Sequence, residues 1–171
     1  MTANAHPLLA VDDLCVDFGP SRVVDHTAFD WTDADWPGIH LPSAVFYELH
    51  IGTFTPEGTF DAAIARLDHL VDLGVRAVEV LPIGEFSGER NWGYDGVDLF
   101  APAHIYGTPR DLRAFVDRAH ELGLAVILDV VYNHLGPAGN VYFTFAPAYR
   151  SEKYANEWGD ALDFDSETSG P

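Results

Sequence analysis

Two short stretches hold the groups best suited to an uncharged, hydroxyl-rich ligand. The first is Asn91-Trp-Gly-Tyr-Asp-Gly96. Trp92 and Tyr94 offer flat faces that can stack on a pyranose. Asp95 can accept hydrogen bonds from hydroxyls, and the two glycines let backbone approach a ligand closely. The same composition suits a loop pinned by buried rings. The second stretch is Asp129-Val-Val-Tyr-Asn-His134, an acid on an apolar run with Asn-His at its exit. A carboxylate there is costly unless paired, so Asp129 is expected to be buried with a partner. Asp129 and Asn133 share strand parity, while His134 points elsewhere or lies past the strand's end. A structural Asp and a satisfied His would give the same pattern.

Other chemistries find little support. There is no Gly-rich phosphate loop, no HExxH pair and no Gly-x-Ser-x-Gly elbow, and the single Cys15 lies in an irregular N-terminal stretch. The eight His are dispersed; His69 and His120 fall on expected helices and read as surface groups rather than metal ligands. No metal or cofactor is expected. Paired carboxylates serve most glycosidases, but the 27 acids here are too many for abundance to single out a pair.

The elements that must position these stretches alternate. Val45–Ile51 and Val75–Leu81 read as apolar strands, and Leu124–Val131 as a strand covered on both faces. Between the first two, Thr59 offers an N-cap, and Phe60, Ile64, Leu67 and Val71 recur at helical spacing up to Gly74. Gly52–Gly58 reads as a loop. Thr108-Pro109 opens a second helix, with Asp111 placed as a capping-box acid and Gly123 as the stop. The 26-residue connection Pro82–Gly107 far exceeds the usual few, which favours a functional loop. Strand–helix–strand–helix–strand implies parallel pairing. The expected fold is α/β: the first three strands and two helices of a (β/α)8 TIM barrel, with a long excursion after strand three. A small open α/β domain is the plainer alternative. Active sites in such folds gather at the carboxyl ends of the strands, where both stretches lie.

Composition narrows the partners. The 171 residues are 47% hydrophobic and 13% aromatic, enough for a packed core. Nine bases against 27 acids give a net charge of −18, which disfavours nucleic acid and anionic membrane surfaces and suits a neutral substrate. The acid excess, with Lys153 the only lysine, also suits high salt. The start of the chain reads as no signal peptide, and no apolar run reaches the roughly 20 residues of a membrane helix. A cytoplasmic location is expected.

Asp129–His134 resembles the first signature region of the α-amylase superfamily, glycoside hydrolase family thirteen, at the end of the third barrel strand. Tyr47-Glu-Leu-His-Ile-Gly-Thr-Phe-Thr-Pro-Glu-Gly-Thr-Phe60, Asn91–Gly96, Asn133–Asn140 and Trp158–Asp165 resemble the malto-oligosyltrehalose trehalohydrolase branch of that superfamily. The likeness runs from about Arg22 onward. Glycogen branching enzymes are the nearest rival, but their matching loop usually reads closer to Trp-Gly-Tyr-Gln, and they usually lack the Phe-Thr-Pro-Glu-Gly run. The resemblance implies hydrolysis, with retention, of the α-1,4 bond beside the terminal trehalose of a maltooligosyl trehalose. It implies that Tyr94 stacks on or borders the sugar at the cleaved bond, that His134 bonds a hydroxyl of that sugar, and that Asp129 and Asn133 organise the site. It places the nucleophilic Asp after strand four, the acid Glu after strand five and a further Asp after strand seven, all later than Pro171. The chain alone is therefore expected to be inactive. A non-catalytic sugar-binding or complementing piece, with the other barrel half on a second chain, is the alternative of another class.

Residues 1–44 are expected to be an irregular segment and linker, and 45–171 the incomplete barrel. Leu8–Phe18 has the makings of a short strand. Pro7–Gly19 resembles the opening strand of an ABC transporter ATPase; no Walker A loop follows, so ATP binding is not implied.

Overall fold

A computed structural model of the chain describes residues 16–17, 22–23 and 29–167. Near the start, β1 (Val16–Asp17) pairs antiparallel with β2 (Arg22–Val23). The rest of the expected 8–18 strand lies outside the described residues, as does most of the ABC-like stretch. Residues 30–40 carry no helix or strand, and a 3-10 turn at Leu41–Ser43 follows.

The centre is a three-stranded parallel sheet in the order β3 (Phe46–Leu49), β4 (Ala77–Val80), β7 (Ala125–Leu128). Each strand occupies the middle of an apolar run, and flanking residues such as Val45, Leu81 and Asp129 still bond to the neighbouring strand. The crossover from β3 to β4 is helical but broken. After the short α1 (Ile51–Phe54), in the stretch read as a loop, come α2 (Phe60–Ile64) and α3 (Leu67–Asp72). One continuous helix was expected from Thr59 to Gly74. Instead Arg66 donates its N–H to Ala63 at 2.9 Å, a tightened last turn that restarts the helix at Leu67 with Phe60, Leu67 and Leu70 all buried. Thr59 caps Ala62 N as its type suggests.

The crossover from β4 to β7 holds β5 (Gly84–Glu85) paired antiparallel with β6 (Asp98–Pro102), a 3-10 turn at His104–Tyr106, and α4 (Pro109–Glu121). The capping box is formed: Asp111 N–H donates to Thr108 Oγ1, and Thr108 N–H to Asp111 Oδ2 at 2.7 Å. Gly74 and Gly123 both sit at positive φ after their helices, and Val75 and Leu124 donate back five residues, so each helix is closed off before its strand begins. Phe60, Phe115, Tyr106, Leu67 and Val78 fill the core between helices and sheet.

The other face of the sheet is less covered. Glu48 lies opposite Glu79, and Glu79 opposite Ile127, all on that face by strand parity. β7 was expected to run to Val131 with both faces covered. It ends at Leu128, which is 47% exposed, because among the described residues it has a strand on one edge only. Beyond it, β8 (His134–Leu135) pairs antiparallel with β9 (Asp160–Ala161), with a short helix α5 (Tyr142–Phe145) between them. No helix among the described residues is long and apolar enough to cross a membrane.

His69 is exposed as expected, but His120 is not. Its ring stacks under Trp36 at 3.8 Å and 7°, and its Nδ1 lies 2.6 Å from Asp33. Thr32 adds two hydrogen bonds to Asp117, so residues 32–36 strap α4 and cover the histidine.

Candidate carbohydrate site

The Asn91–Gly96 loop leaves the carboxyl end of β4 and is fixed from within. Asn91 Oδ1 accepts from Gly93 N at 2.6 Å and Asp95 N at 3.4 Å, and its Nδ2 donates to Asp95 Oδ2 at 3.0 Å. Gly93 is at φ +103°, and a Cβ there would stand 2.2 Å from the Pro82 carbonyl oxygen, so only glycine lets the loop fold onto the strand's end. From below, His50 Nε2 donates to the Asn91 carbonyl at 2.8 Å, and the buried Tyr106 hydroxyl reaches the same oxygen at 3.4 Å.

The second stretch meets this loop. Asp129 N donates to Val80 O at 2.9 Å, so the chain still tracks the sheet past the end of β7 and Asp129 keeps the parity of Ile127 and Glu79. It is half-buried rather than buried, since the sheet face it shares is open. A partner was expected without being named, and it is the Tyr94 hydroxyl, which donates to Asp129 Oδ2 at 3.2 Å. The Tyr94 hydroxyl is held above its usual range by desolvation first, then by the Asp129 carboxylate, with Glu48 and Glu79 adding to it. The residue as a whole remains 46% exposed. Tyr94 therefore stays a neutral donor with a face open to solvent.

His134 ties the two stretches a second time. It is buried in β8, and its Nε2 lies 3.0 Å from the Tyr94 carbonyl oxygen. A carbonyl only accepts, so Nε2 carries the proton, and the buried Nδ1 has no partner among the described residues. Gly136 N donates to Gly96 O at 2.9 Å, and a Cβ on Gly136 would stand 2.1 Å from the Asp95 carbonyl oxygen. The loops touch backbone to backbone.

Tyr94, Asp129 and His134 thus form one connected group, with Asp95 exposed beside it and turned toward Asn91. Asn133 is exposed, and its carbonyl accepts from Leu162 N at 3.2 Å. Trp92 faces elsewhere. It is 66% exposed, with its ring edge against His50 at 5.3 Å. His50, Tyr106 and Gly136 were not singled out from sequence. His50 ends the first parallel strand with the inward parity of Glu48, a signal that was available; the reach of Tyr106 and Gly136 to the loop was not.

The profile for the alpha amylase catalytic domain matches residues 23–160. The chain belongs to that family. The malto-oligosyltrehalose trehalohydrolase of Deinococcus radiodurans is 55% identical over 146 residues, covering 85% of this chain and 24% of the relative. The enzyme of the same name from Arthrobacter ramosus is 53% identical over 159 residues, covering 93% of this chain and 26% of the relative. A Salmonella typhimurium crystal structure described as an alpha amylase superposes with a TM-score of 0.82 at 50% identity, covering 87% of this chain and 26% of that one. The chain spans about a quarter of the length of these relatives. Its fold is accordingly α/β, a (β/α)8-type parallel sheet that the described residues leave open.

Proposed function

We propose that this chain forms the sugar-gripping part of a glycoside hydrolase acting on maltooligosyl trehalose, which the whole enzyme cleaves at the α-1,4 bond beside trehalose. The observation that carries the reading is the contact between the two stretches: Tyr94 donates to Asp129, and His134 holds the Tyr94 backbone. An exposed phenol face fixed at both ends, beside carboxylates at the mouth of a parallel sheet, suits a neutral pyranose. The names and identities of the relatives support the choice of substrate.

In this reading Tyr94 stacks on the ring, and Asp129 sets the phenol and accepts from sugar hydroxyls. Asn133 and Asp95 border the mouth. His134 holds Tyr94; for it to bond a hydroxyl itself, Nε2 must release the Tyr94 carbonyl. The bond-breaking carboxylates that the resemblance implies follow the fourth and fifth barrel strands, so the residues described here are assigned to binding. No cofactor is assigned. The test is calorimetric titration of the chain with maltotriosyl trehalose. Saturable binding that Tyr94→Ala weakens about tenfold is expected, equal to roughly 1.4 kcal/mol. No binding by the unaltered chain, or equal binding by Tyr94→Ala, would refute the assignment.

A further inference from the structure

At the amino ends of the parallel strands, far from the Tyr94 mouth, lies a cavity of about 620 Å³, within the size range of small-molecule sites. Its walls are the strap that crosses α4, Arg76 and the last turn of α4. Arg76 precedes the central strand and is bonded to both of its neighbours: its N–H donates to Val45 O at 2.8 Å, and its carbonyl accepts from Ala125 N at 2.9 Å. Its backbone is therefore fixed at the middle of the sheet's lower edge. On the strap side, Trp36 has one face taken by the His120 ring at 3.8 Å, which leaves the other for a ligand.

The lining specifies a chemistry. His120, Glu121 and Gly123 bring the C-terminal end of the 13-residue α4 to the cavity, and that end carries partial negative charge. Asp33, Asp35 and Glu121 add three carboxylates against the single guanidinium of Arg76. Two of the acids are engaged already, Asp33 by His120 at 2.6 Å and Glu121 by Arg118 at 2.8 Å. Asp35 and Arg76 bond to no side chain among the described residues. A lone anion is repelled by the acids and the helix end, and a lone cation by Arg76. A molecule with both charges satisfies the two free groups at once. A primary ammonium needs several acceptors, and only Asp35 is unengaged. A quaternary ammonium needs none, and the free face of an indole attracts it.

We propose that this cavity binds a small zwitterion with a quaternary ammonium and a carboxylate. The ammonium rests on Trp36 beside Asp35 and the end of α4, and the carboxylate pairs with Arg76. The site is independent of the Tyr94 mouth, and its ligand holds the strap against the sheet.

The experiment is a nuclear magnetic resonance titration of the chain with glycine betaine, choline, glycine and dimethylbutanol, the uncharged carbon analogue of choline, at matched sodium chloride. Glycine betaine is expected to shift the Trp36 indole and the Arg76, Glu121 and Gly123 amides saturably, and to leave Tyr94 and His134 unmoved. Choline, which lacks the carboxylate, binds about threefold more weakly, as one exposed ion pair allows, and dimethylbutanol more weakly still. Trp36→Ala weakens glycine betaine about fivefold, and Trp36→Phe, which keeps a ring over His120, recovers most of the loss. Arg76→Gln removes the preference for glycine betaine over choline without lowering the melting temperature, since Arg76 is exposed. Dimethylbutanol binding as tightly as choline would make the cavity an apolar crevice and overturn the proposal. So would tighter binding of glycine than of glycine betaine, an unchanged preference in Arg76→Gln, or no shift at these residues with any of the four.

Discussion

Replacing Gly136 with alanine tests how closely the two loops are joined. The added Cβ would stand 2.1 Å from the Asp95 carbonyl oxygen, 2.6 Å from the Asp95 carbonyl carbon and 2.9 Å from its Cα. All are backbone atoms, so no side chain can swing aside. Restoring ordinary contact of about 3.5 Å demands that the loops part by more than 1 Å. The 2.9 Å bond from Gly136 to Gly96 then breaks, and the 3.0 Å bond from His134 to Tyr94 lengthens with it. Overpacking of this kind costs about 1–3 kcal/mol, and each kcal/mol lowers the melting temperature of a chain this size by about 2–4 °C. Gly123→Ala is the control. Gly123 has φ +77° and open space at its Cβ, so that substitution pays backbone strain of about 1 kcal/mol without touching the site. Thermal melts and maltooligosaccharide titrations of both variants decide it. Gly136→Ala should lose both stability and affinity, and Gly123→Ala stability alone. A Gly136→Ala protein that melts and binds like the original would show that the loops are not packed as described.

Two further outcomes follow from charge and burial. Glu48 and Glu79 face each other in register with no cation bonded to either among the described residues; directly opposed like charges cost about 0.2–1 kcal/mol, so Glu79→Gln should raise stability in urea by that order, and by less in molar salt, which screens the repulsion. Equal or lower stability of the variant at low salt would count against it. Burial pushes the Tyr106 hydroxyl up to about 12, whereas the unfolded chain ionises near 10. Stability from this group is therefore intact below pH 10 and falls by about 1.4 kcal/mol per pH unit from there toward 12. Urea melts from pH 9 to 11 should show the decline, and Tyr106→Phe should flatten it.

The framework was legible because its signals are local. Apolar runs gave the three strands, and Thr108, Pro109 and Asp111 fixed the start of α4. Gly74 and Gly123 marked both helix ends. The meeting of the two stretches was legible in their places at the carboxyl ends of the strands. What escaped depends on contacts distant in sequence. The helix break at Arg66 follows the burial of Leu67 and Leu70 against the sheet. Asp129 is half-exposed because of how much of the sheet is covered, which no periodicity records. The separation of Trp92 from Tyr94 is set by His50, more than 40 residues earlier, through a carbonyl that any residue at position 91 would supply.

The central claim is that residues 91–96 and 129–136 make one sugar-binding mouth. A nuclear magnetic resonance titration of the chain with maltotetraose, followed at assigned backbone amides, addresses this directly. Saturable shifts are expected at Tyr94, Asp95, Asp129, His134 and Gly136, all sharing a single dissociation constant. Shifts absent from these residues, or confined to the opposite end of the strands around Asp33 and Trp36, would contradict it.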